Sequence, residues 1–393
     1  MPPPEKRINP KEPKSGFASA AYGLAIIVAL IVLVGASVYA IQWHVAGNDH
    51  SRNNKGSTGR TVSYDVTETR PGWWETSAFI YFDIPARVLF KAPEDEKSIG
   101  PEELAEKIWA EFDRIGDIFN PYDPDSETAR LNERRRSGSI PVSKEMHEVL
   151  STAESLWEAG DGAFDPTMLP LKQMWEEAVA SQKIPAHREI RRTMANVGFD
   201  KVEVAPDTPE ITLDNKNIQI DFGGIAKGYA VDKVTALLRR EGIDAALVSL
   251  AGEIRTFGKN NDNPWRIGIQ HPVDMNALWG IVSADADIRV STSGNYRQPL
   301  RIAGQEFYHI FDPATGRPVS ETVLGVTTLC GSQKTSSAYL DGAATAIVVM
   351  GADAGIPFAE KNGIEALILT RARSGEIKEV MTEGFQAYYT KNF

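Results

Sequence analysis

The chain has almost no cysteine: Cys330 is the only one among 393 residues. A single cysteine excludes an intramolecular disulfide and any zinc site built from several thiolates. It also lies far from the N-terminus, which excludes a lipid-bearing cysteine beside a membrane segment. Any attachment to a membrane must therefore come from another part of the sequence.

Surplus positive charge is missing as well, since the formal net charge is −11. The N-terminal head (residues 1–16) contributes +2 to this total, so residues 17–393 carry −13. So acidic a body repels phosphate backbones, and the sequence therefore argues against a nucleic-acid partner. Hydrophobic residues make up 42% of the chain. It is therefore expected to bury a core rather than remain disordered.

One long hydrophobic run is present near the N-terminus. Residues 17–41 contain no charged side chain. A helix of that length, at about 1.5 Å per residue, exceeds a hydrocarbon core of roughly 30 Å. We predict a transmembrane anchor there, with the basic head in the cytoplasm and the rest on the extracytoplasmic side of the membrane. The alternative is a cleavable signal peptide, for which residues 38–40 (VYA) offer a weak site. The polar residues 42–71 are predicted to form a flexible stalk.

The remaining sequence mixes short apolar runs with amphipathic stretches, without a regular βαβα alternation, and this predicts an α+β fold. The pattern predicts helices at residues 101–119, 143–158, 225–240 and 336–350. It predicts strands at residues 77–84, 201–204, 210–213, 218–221, 245–250, 265–269, 281–284, 288–291, 308–311 and 366–369.

The segment IDFGGIAKGYAVDKV (220–234) is the first candidate for chemistry. A strand ending at Asp221 is followed by two glycines and a helix whose first turn carries Lys227. Free backbone N–H groups at a helix start can hold an anion such as a phosphate. The spacing is neither a Walker A loop nor G-x-G-x-x-G, and a tight turn made only for packing has the same appearance.

The segment AYLDGAATAIVVMG (338–351) places Asp341 and Thr345 four residues apart on a helix, so that a carboxylate and a hydroxyl share one face. Two hard oxygen donors suit Mg²⁺ when phosphates and carbonyls complete its shell. The alternative is structural, with Asp341 capping the helix and Thr345 bonding back to a carbonyl.

The segment FYHIFDPATGRPV (307–319) places His309 on a predicted strand that leads into an Asp-Pro-Ala-Thr-Gly turn. A histidine there can act as a general base, but an isolated histidine can equally be structural.

Taken together, these motifs resemble the ApbE family of magnesium-dependent FAD:protein FMN transferases. The resemblance covers roughly residues 72–390 and implies a single catalytic domain over 72–393, ApbE-like and related to the T-fold. Seven segments carry it: FNPYDPDSETARLN, GAFDPTMLPLKQMW, IDFGGIAKGYAVDKV, VSLAGEIRTFG, VSTSGNYRQ, FYHIFDPATGRPV and AYLDGAATAIVVMG.

The resemblance also implies roles for single residues. Asp341, Thr345 and a backbone oxygen of Gly224 would hold Mg²⁺, and His309 would deprotonate the acceptor hydroxyl. The residues that would bind FAD are Tyr122, Ala163, Phe164, Asp165, Asp221, Lys227 and Ile310.

The implied reaction transfers FMN from FAD to a threonine or serine hydroxyl of an acceptor protein and releases AMP. The implied acceptors are flavin-carrying subunits of membrane redox complexes of the Rnf or Nqr type. A Mg²⁺-dependent FAD pyrophosphatase and a non-catalytic FAD-binding protein remain alternatives. Two segments depart from the family pattern: residues 75–78 (ETSA) replace the usual Met-Gly-Thr, which puts the flavin contact in doubt, and residues 251–253 (AGE) replace Gly-Gly-Asp.

Overall fold

The computed structural model describes most of the chain after residue 51. The described residues are 52–55, 61–81, 84–95, 98–134, 138–285, 287–294, 300–320, 322–331 and 335–392. The predicted basic head (1–16) and transmembrane anchor (17–41) lie outside them, as do residues 42–51 and 56–60 of the predicted stalk.

Twenty strands and seven α-helices occur within the described residues. The strands are β1 Arg52–Lys55, β2 Thr61–Arg70, β3 Trp73–Ile80, β4 Ile84–Lys91, β5 Gly138–Pro141, β6 Val202–Val204, β7 Glu210–Leu213, β8 Ala246–Leu250, β9 Glu253–Phe257, β10 Trp265–Gln270, β11 Leu278–Ala284, β12 Ile288–Gly294, β13 Leu300–Ile302, β14 Gln305–Phe307, β15 Phe311–Asp312, β16 Arg317–Pro318, β17 Val323–Cys330, β18 Glu365–Arg371, β19 Ile377–Met381 and β20 Tyr389–Lys391. The helices are α1 Pro101–Phe119, α2 Glu127–Glu133, α3 Lys144–Ala159, α4 Leu169–Ser181, α5 His187–Met194, α6 Ala226–Arg240 and α7 Ser337–Lys361.

A ten-stranded sheet, in the order β1-β2-β3-β4-β8-β9-β12-β17-β18-β19, organises the molecule. Every neighbouring pair is antiparallel. Its strand β17 is buried at every residue, because helices cover one face of the sheet and a second sheet covers the other.

The helical layer is formed by α1, α3, α6 and α7, and its apolar side chains merge with the inward side chains of the sheet into the main core. Helix α1 shows why: Pro101 fits its first turn, acidic residues follow, and Leu104, Ile108 and Phe112 fall on one buried face. Helix α7 lies against α6, β12 and β17, which brings its first turns to the sheet.

The opposite face of the sheet is covered by the small sheet β10-β11-β20, with a second core that includes Val282, Leu329 and Phe385. A third core, around Trp175, joins α4 and α5 to the hairpins β13-β14 and β15-β16. Gly316 in the β15-β16 turn packs against Ile190 and Met194 of α5. The arrangement of helices against an antiparallel sheet confirms the predicted α+β class.

Most predicted elements are confirmed within a few residues, and the exceptions have identifiable causes. The stalk prediction was wrong for residues 52–55 and 61–70, which form β1 and β2. In β2 the alternation of Val62, Tyr64 and Val66 fits a strand with one face toward the core. Residues 218–221 are not a strand, since the Asn132 side chain hydrogen-bonds the Ile220 backbone instead.

Three other segments also differ from the prediction. The strand predicted at 77–84 is divided between β3 and β4 by a turn at Tyr81, where φ is 49°. The strand predicted at 308–311 is absent from the described segment 300–320 except for the start of β15. Helix α7 continues past Met350 with a kink at Gly351, where φ is 74° and ψ is −179°. That conformation is one that glycine adopts far more readily than other residues.

Among the described residues, α7 is the one helix that is long and apolar enough to cross a membrane. Its packing against α6 and the sheet makes it a core helix of the domain.

Candidate functional site

The proposed metal ligands meet where α7 crosses the loop before α6. Asp341 is buried on the first turns of α7, and Thr345 lies one turn further and donates to the Asp341 carbonyl at 3.3 Å. A Cβ at Gly224 would lie 3.4 Å from Thr345 Oγ1, so the glycine loop touches the hydroxyl. Ser293, at the end of β12, shares a hydrogen bond of 3.2 Å with the same hydroxyl. The i, i+4 spacing predicted from the sequence is confirmed.

The Asp341 carboxylate is the anion that occupies the start of α6. The Gly228 N–H donates to Asp341 Oδ2 at 3.0 Å, and Lys227 Nζ lies 3.1 Å from Oδ1 and 3.2 Å from Oδ2. The helix end and its lysine bind an anion, and in this structure that anion is a side chain of the protein.

A second buried carboxylate, Glu253, faces the same lysine. Its Oε1 lies 3.7 Å from Lys227 Nζ, and its buried Oε2 has no hydrogen-bond partner among the described residues. Burial and the neighbouring Asp341 raise the pKa of Glu253 well above its usual value. Burial by itself lowers the pKa of Lys227, but Asp341 and Glu253 outweigh it, so the net shift is upward.

These residues fit a divalent cation. Asp341, Thr345 and the Gly224 backbone supply hard oxygen donors, and the carboxylate already attracts a cation, the Lys227 ammonium. The described residues contain no group of three His, Cys, Asp or Glu side chains that could share a metal. A metal here would therefore depend on the mixed donor set, as the resemblance implies.

Next to this cluster, Lys172 joins two of the residues expected to bind FAD. Lys172 Nζ donates to Asp221 Oδ2 at 2.9 Å and lies 5.0 Å from the ring centroid of Tyr122. Asp221 Oδ1 accepts from the Gly223 N–H at 2.8 Å. Tyr122, in the turn after α1, is 50% exposed. It therefore offers a ring on which a ligand can stack.

His309 lies in the segment between β14 and β15, not on a strand as predicted. Its Nδ1 is buried and has no hydrogen-bond partner among the described residues. Burial, followed by the charges of Lys172 and Lys227, lowers the pKa of His309 to about 4. The imidazole is therefore neutral at pH 7 and able to accept a proton.

Three other residues expected to bind FAD, Phe164, Asp165 and Ile310, are buried. The Phe164 ring is buried, and its Cε2 would be 3.1 Å from a Cβ at Gly224. Asp165 caps a short 3-10 helix at Pro166–Met168 and accepts from the N–H groups of Thr167 and Phe199, at 2.7 and 2.9 Å. Its carboxylate thus holds two loops together. Ile310 is buried in the main core, and its carbonyl accepts from the Val319 N–H at 2.9 Å.

A cavity of about 710 Å³ opens beside Ala163 and Asp165. Its volume falls within the range of small-molecule sites. The walls come from the end of α3, the β15-β16 turn and the second half of α7, with Trp157, Met350 and Phe358 as large apolar contributors.

Three residues of the site were missed by the sequence interpretation. Ser293 and Glu253 carry no local signal of function, although Glu253 stands where the family pattern has aspartate. Lys172 does carry one: a cation near the start of α4 opposes the helix dipole, which favours negative charge there. In the segment 75–78, which replaces the family's Met-Gly-Thr, Thr76 is buried in β3. Its hydroxyl accepts a hydrogen bond from Trp109 Nε1 at 2.8 Å, so this side chain packs within the domain.

Comparison with known proteins decides the family. The profile of the ApbE family matches residues 82–368. The chain belongs to the ApbE family. A curated relative from Vibrio cholerae serotype O1, named FAD:protein FMN transferase, is 33% identical over 284 residues, covering 71% of this chain and 83% of that protein. An Escherichia coli K12 protein of the same name is 28% identical over 292 residues, covering 73% and 82%.

Solved ApbE structures have the same fold. A mutant of the flavin transferase ApbE from Vibrio cholerae superimposes with a TM-score of 0.68 at 28% identity, covering 78% of this chain and 96% of that one. The apo form of the Pseudomonas stutzeri flavinyl transferase ApbE gives 0.68 at 26% identity, covering 87% and 98%. This ApbE protein is accordingly an enzyme, and its relatives carry the name of a transferase.

Proposed function

We propose that this ApbE protein transfers FMN from FAD to a threonine or serine hydroxyl of an acceptor protein, releases AMP, and requires Mg²⁺. One observation carries the proposal. Lys227 binds the Asp341 carboxylate, and burial, together with the charges of Lys172 and Lys227, lowers the pKa of His309. Base, cations and metal donors thus share one site, which suits attack on a pyrophosphate.

FAD would lie beside Asp341 and Thr345, with its pyrophosphate near the Lys227 ammonium. The half-exposed ring of Tyr122 and the carboxylate of Asp221 both lie beside Lys172, and a cavity opens beside Ala163. Phe164 would form the apolar wall behind the pyrophosphate, Asp165 would fix the loops that shape the cavity, and Ile310 would position the segment beside His309.

The chain's own residues account for most of the chemistry. His309 takes the proton of the acceptor hydroxyl, whose oxygen forms a bond to the FMN phosphorus while the bond from phosphorus to the bridging oxygen breaks and AMP leaves. Lys227 binds the phosphate oxygens and moderates their charge. When bound by Asp341, Thr345 and the Gly224 carbonyl, Mg²⁺ would neutralise negative charge on the pyrophosphate.

The acceptors we propose are flavin-carrying subunits of membrane redox complexes of the Rnf or Nqr type. The predicted anchor at residues 17–41 supports this, because it would hold the enzyme on the periplasmic face of the inner membrane and raise its concentration near membrane-bound partners.

The test is to incubate the full chain with FAD, Mg²⁺ and the flavin-carrying domain of such a subunit, and to measure the mass of that domain. We expect a gain of one FMN and an equal amount of AMP. The matched control is the same domain with its acceptor threonine replaced by valine, which should stay unmodified.

Each alternative function has its own outcome in this experiment. Free FMN and AMP in the absence of any acceptor would replace the proposal by FAD pyrophosphatase activity. FAD that is bound but unchanged would replace it by a binding function.

A further inference from the structure

Glu253 is a buried carboxylate with one oxygen that makes no hydrogen bond. Its side chain is 2% exposed, and Oε2 has no hydrogen-bond partner within the described residues. Buried carboxylate oxygens are normally hydrogen-bonded, because an unpaired one has lost its water without a replacement. Such an oxygen points to a partner that reaches Glu253 in another state of the site.

The backbone around Glu253 is held firmly. Glu253 is the first residue of β9 and is paired with Leu250 of β8 on one side and Ser291 of β12 on the other. A Cβ at Gly252 would lie 2.6 Å from the Thr292 carbonyl oxygen, so the turn before Glu253 packs tightly on β12. Glu253 therefore has little freedom, and a partner has to move toward it.

Lys227 is the cation beside Glu253. Its ammonium has three N–H donors. It donates to the Gly223 carbonyl at 2.9 Å and to the two Asp341 oxygens at 3.1 and 3.2 Å. Glu253 Oε1 lies 3.7 Å from Lys227 Nζ, so a movement of about 1 Å would bring the two within hydrogen-bond distance.

A cation bound by Asp341 would change these contacts. Asp341 is the one carboxylate of the proposed Mg²⁺ donors, and both of its oxygens face Lys227. An ammonium and a divalent cation repel each other, so Lys227 cannot keep both oxygens while Asp341 holds Mg²⁺. A partly buried ammonium left without a carboxylate beside a second cation is unfavourable.

We propose that Glu253 is a positioning residue, which takes over the Lys227 ammonium when Asp341 binds Mg²⁺. One donor of Lys227 then goes to Glu253, one stays on the Gly223 carbonyl, and the third is available to the phosphate oxygens of FAD. Glu253 thereby keeps Lys227 beside the pyrophosphate and favours binding of the metal. This role rests on the proposed function, in particular on its requirement for Mg²⁺.

The test is a double-mutant cycle on the Kd for Mg²⁺, measured by calorimetry on the full chain saturated with FAD and without acceptor. Glu253→Gln keeps the shape of the side chain and removes the charge, Glu253→Asp keeps the charge, and Lys227→Met removes the ammonium. The matched control is Glu379→Gln, because Glu379 pairs with Lys391 at 3.3 Å outside the proposed site.

We expect Glu253→Gln to weaken Mg²⁺ binding by at least about 10-fold in the parent chain, but by less than about threefold in Lys227→Met, where Glu253 has no ammonium to take over. Glu253→Asp and Glu379→Gln should stay within about threefold of the parent.

Equal weakening by Glu253→Gln in the two backgrounds overturns the proposal, because Glu253 would then act on the metal without Lys227. A Kd that is unchanged in Glu253→Gln while the melting temperature falls also overturns it, since the role of Glu253 would then be structural. A parent chain that does not bind Mg²⁺ contradicts the proposed Mg²⁺ requirement and this role with it. A chain that shows the expected coupling but transfers no FMN supports the role of Glu253 and contradicts the proposed transferase function.

Discussion

At the scale of single residues, a small number of side chains compensate one another's buried charges in the site. Asp341 receives a backbone N–H and an ammonium, and Glu253 lies beside the same ammonium. Removing one partner from such a group leaves an uncompensated buried charge, which costs several times more than an exposed ion pair contributes. Each substitution in this site is therefore best paired with a second variant that removes the charge but keeps the shape of the side chain.

Asp341→Ala should reduce Mg²⁺-dependent turnover by at least about 100-fold, because it removes the one carboxylate of the proposed metal set. Asp341→Asn keeps the shape and should give the same loss, and Asp353→Ala, an exposed acid on the same helix, should remain active. Calorimetry of Mg²⁺ binding in the presence of FAD gives the second readout. Activity retained in both Asp341 variants would remove this residue from the metal site.

His309→Ala should slow transfer by about 10²- to 10⁴-fold, the usual contribution of a general base, while the Kd for FAD changes by less than about threefold. Single-turnover kinetics and fluorescence titration with FAD measure the two quantities. Parallel losses in rate and binding would instead indicate a structural role for the histidine.

At the scale of elements, the close approach of α6 and α7 assembles the site. A Cβ at Gly228 would lie 2.2 Å from the Ser337 carbonyl oxygen and 2.5 Å from its carbon, so only glycine fits between the helices. Asp232 of α6 stabilises the contact between α6 and α7, since its carboxylate accepts hydrogen bonds from the Ser337 N–H and hydroxyl, both at 2.7 Å.

Gly228→Ala should therefore push α7 away from α6, lengthen the bond to Asp341 and lower the free energy of unfolding by roughly 1–3 kcal/mol. Urea unfolding measures the loss, and Mg²⁺-dependent turnover should fall with it. The matched control is Gly100→Ala, where the new methyl meets no atom within 4 Å. Its free energy of unfolding should change by less than about 0.5 kcal/mol. Equal effects in the two variants would contradict the packing argument.

The sequence pattern predicted the elements that are determined by residues within the element itself. Helix α1 has its proline, first-turn acids and apolar face within 19 residues, and its predicted bounds match the structure. Strand β17 was missed, because a strand buried on both faces has no alternation to detect. The predicted end of α7 at Met350 marks its kink at Gly351, but the continuation depends on packing that the pattern does not contain.

The candidate site divides in the same way. Asp341 and Thr345 could be paired from their spacing alone, whereas the approach of Gly224, Lys227 and Asp341 requires the crossing of two helices whose contacting residues are 114 positions apart in sequence. The position of Lys172 near the start of α4 could be noticed in the sequence, but its partners could not be predicted, since Asp221 and Tyr122 lie on other elements.

At the scale of the whole molecule, a buried neutral histidine makes stability depend on pH. The pKa of His309 is about 4 in the fold and near 6.5 in an unfolded chain, so between these values the unfolded state binds more protons. This contribution to stability is present above about pH 6.5 and is lost as the pH falls toward about 4.

The melting temperature should therefore fall between about pH 6.5 and 4, and less steeply in His309→Gln than in the parent chain. His187→Gln, at an exposed position on α5, is the matched control and should follow the parent curve. A His309→Gln curve that also matches the parent would contradict the link.

The pairing of β1 with β2 would limit the reach of a domain held by the predicted anchor. Because the sheet already includes Arg52, only ten residues separate it from the end of the predicted anchor at Ile41. Even fully extended, such a connection reaches at most about 40 Å. Arg52 of an anchored domain would thus stay within about 40 Å of the lipid surface, and any hydroxyl that the enzyme modifies would have to come within that distance plus the distance from Arg52 to the site.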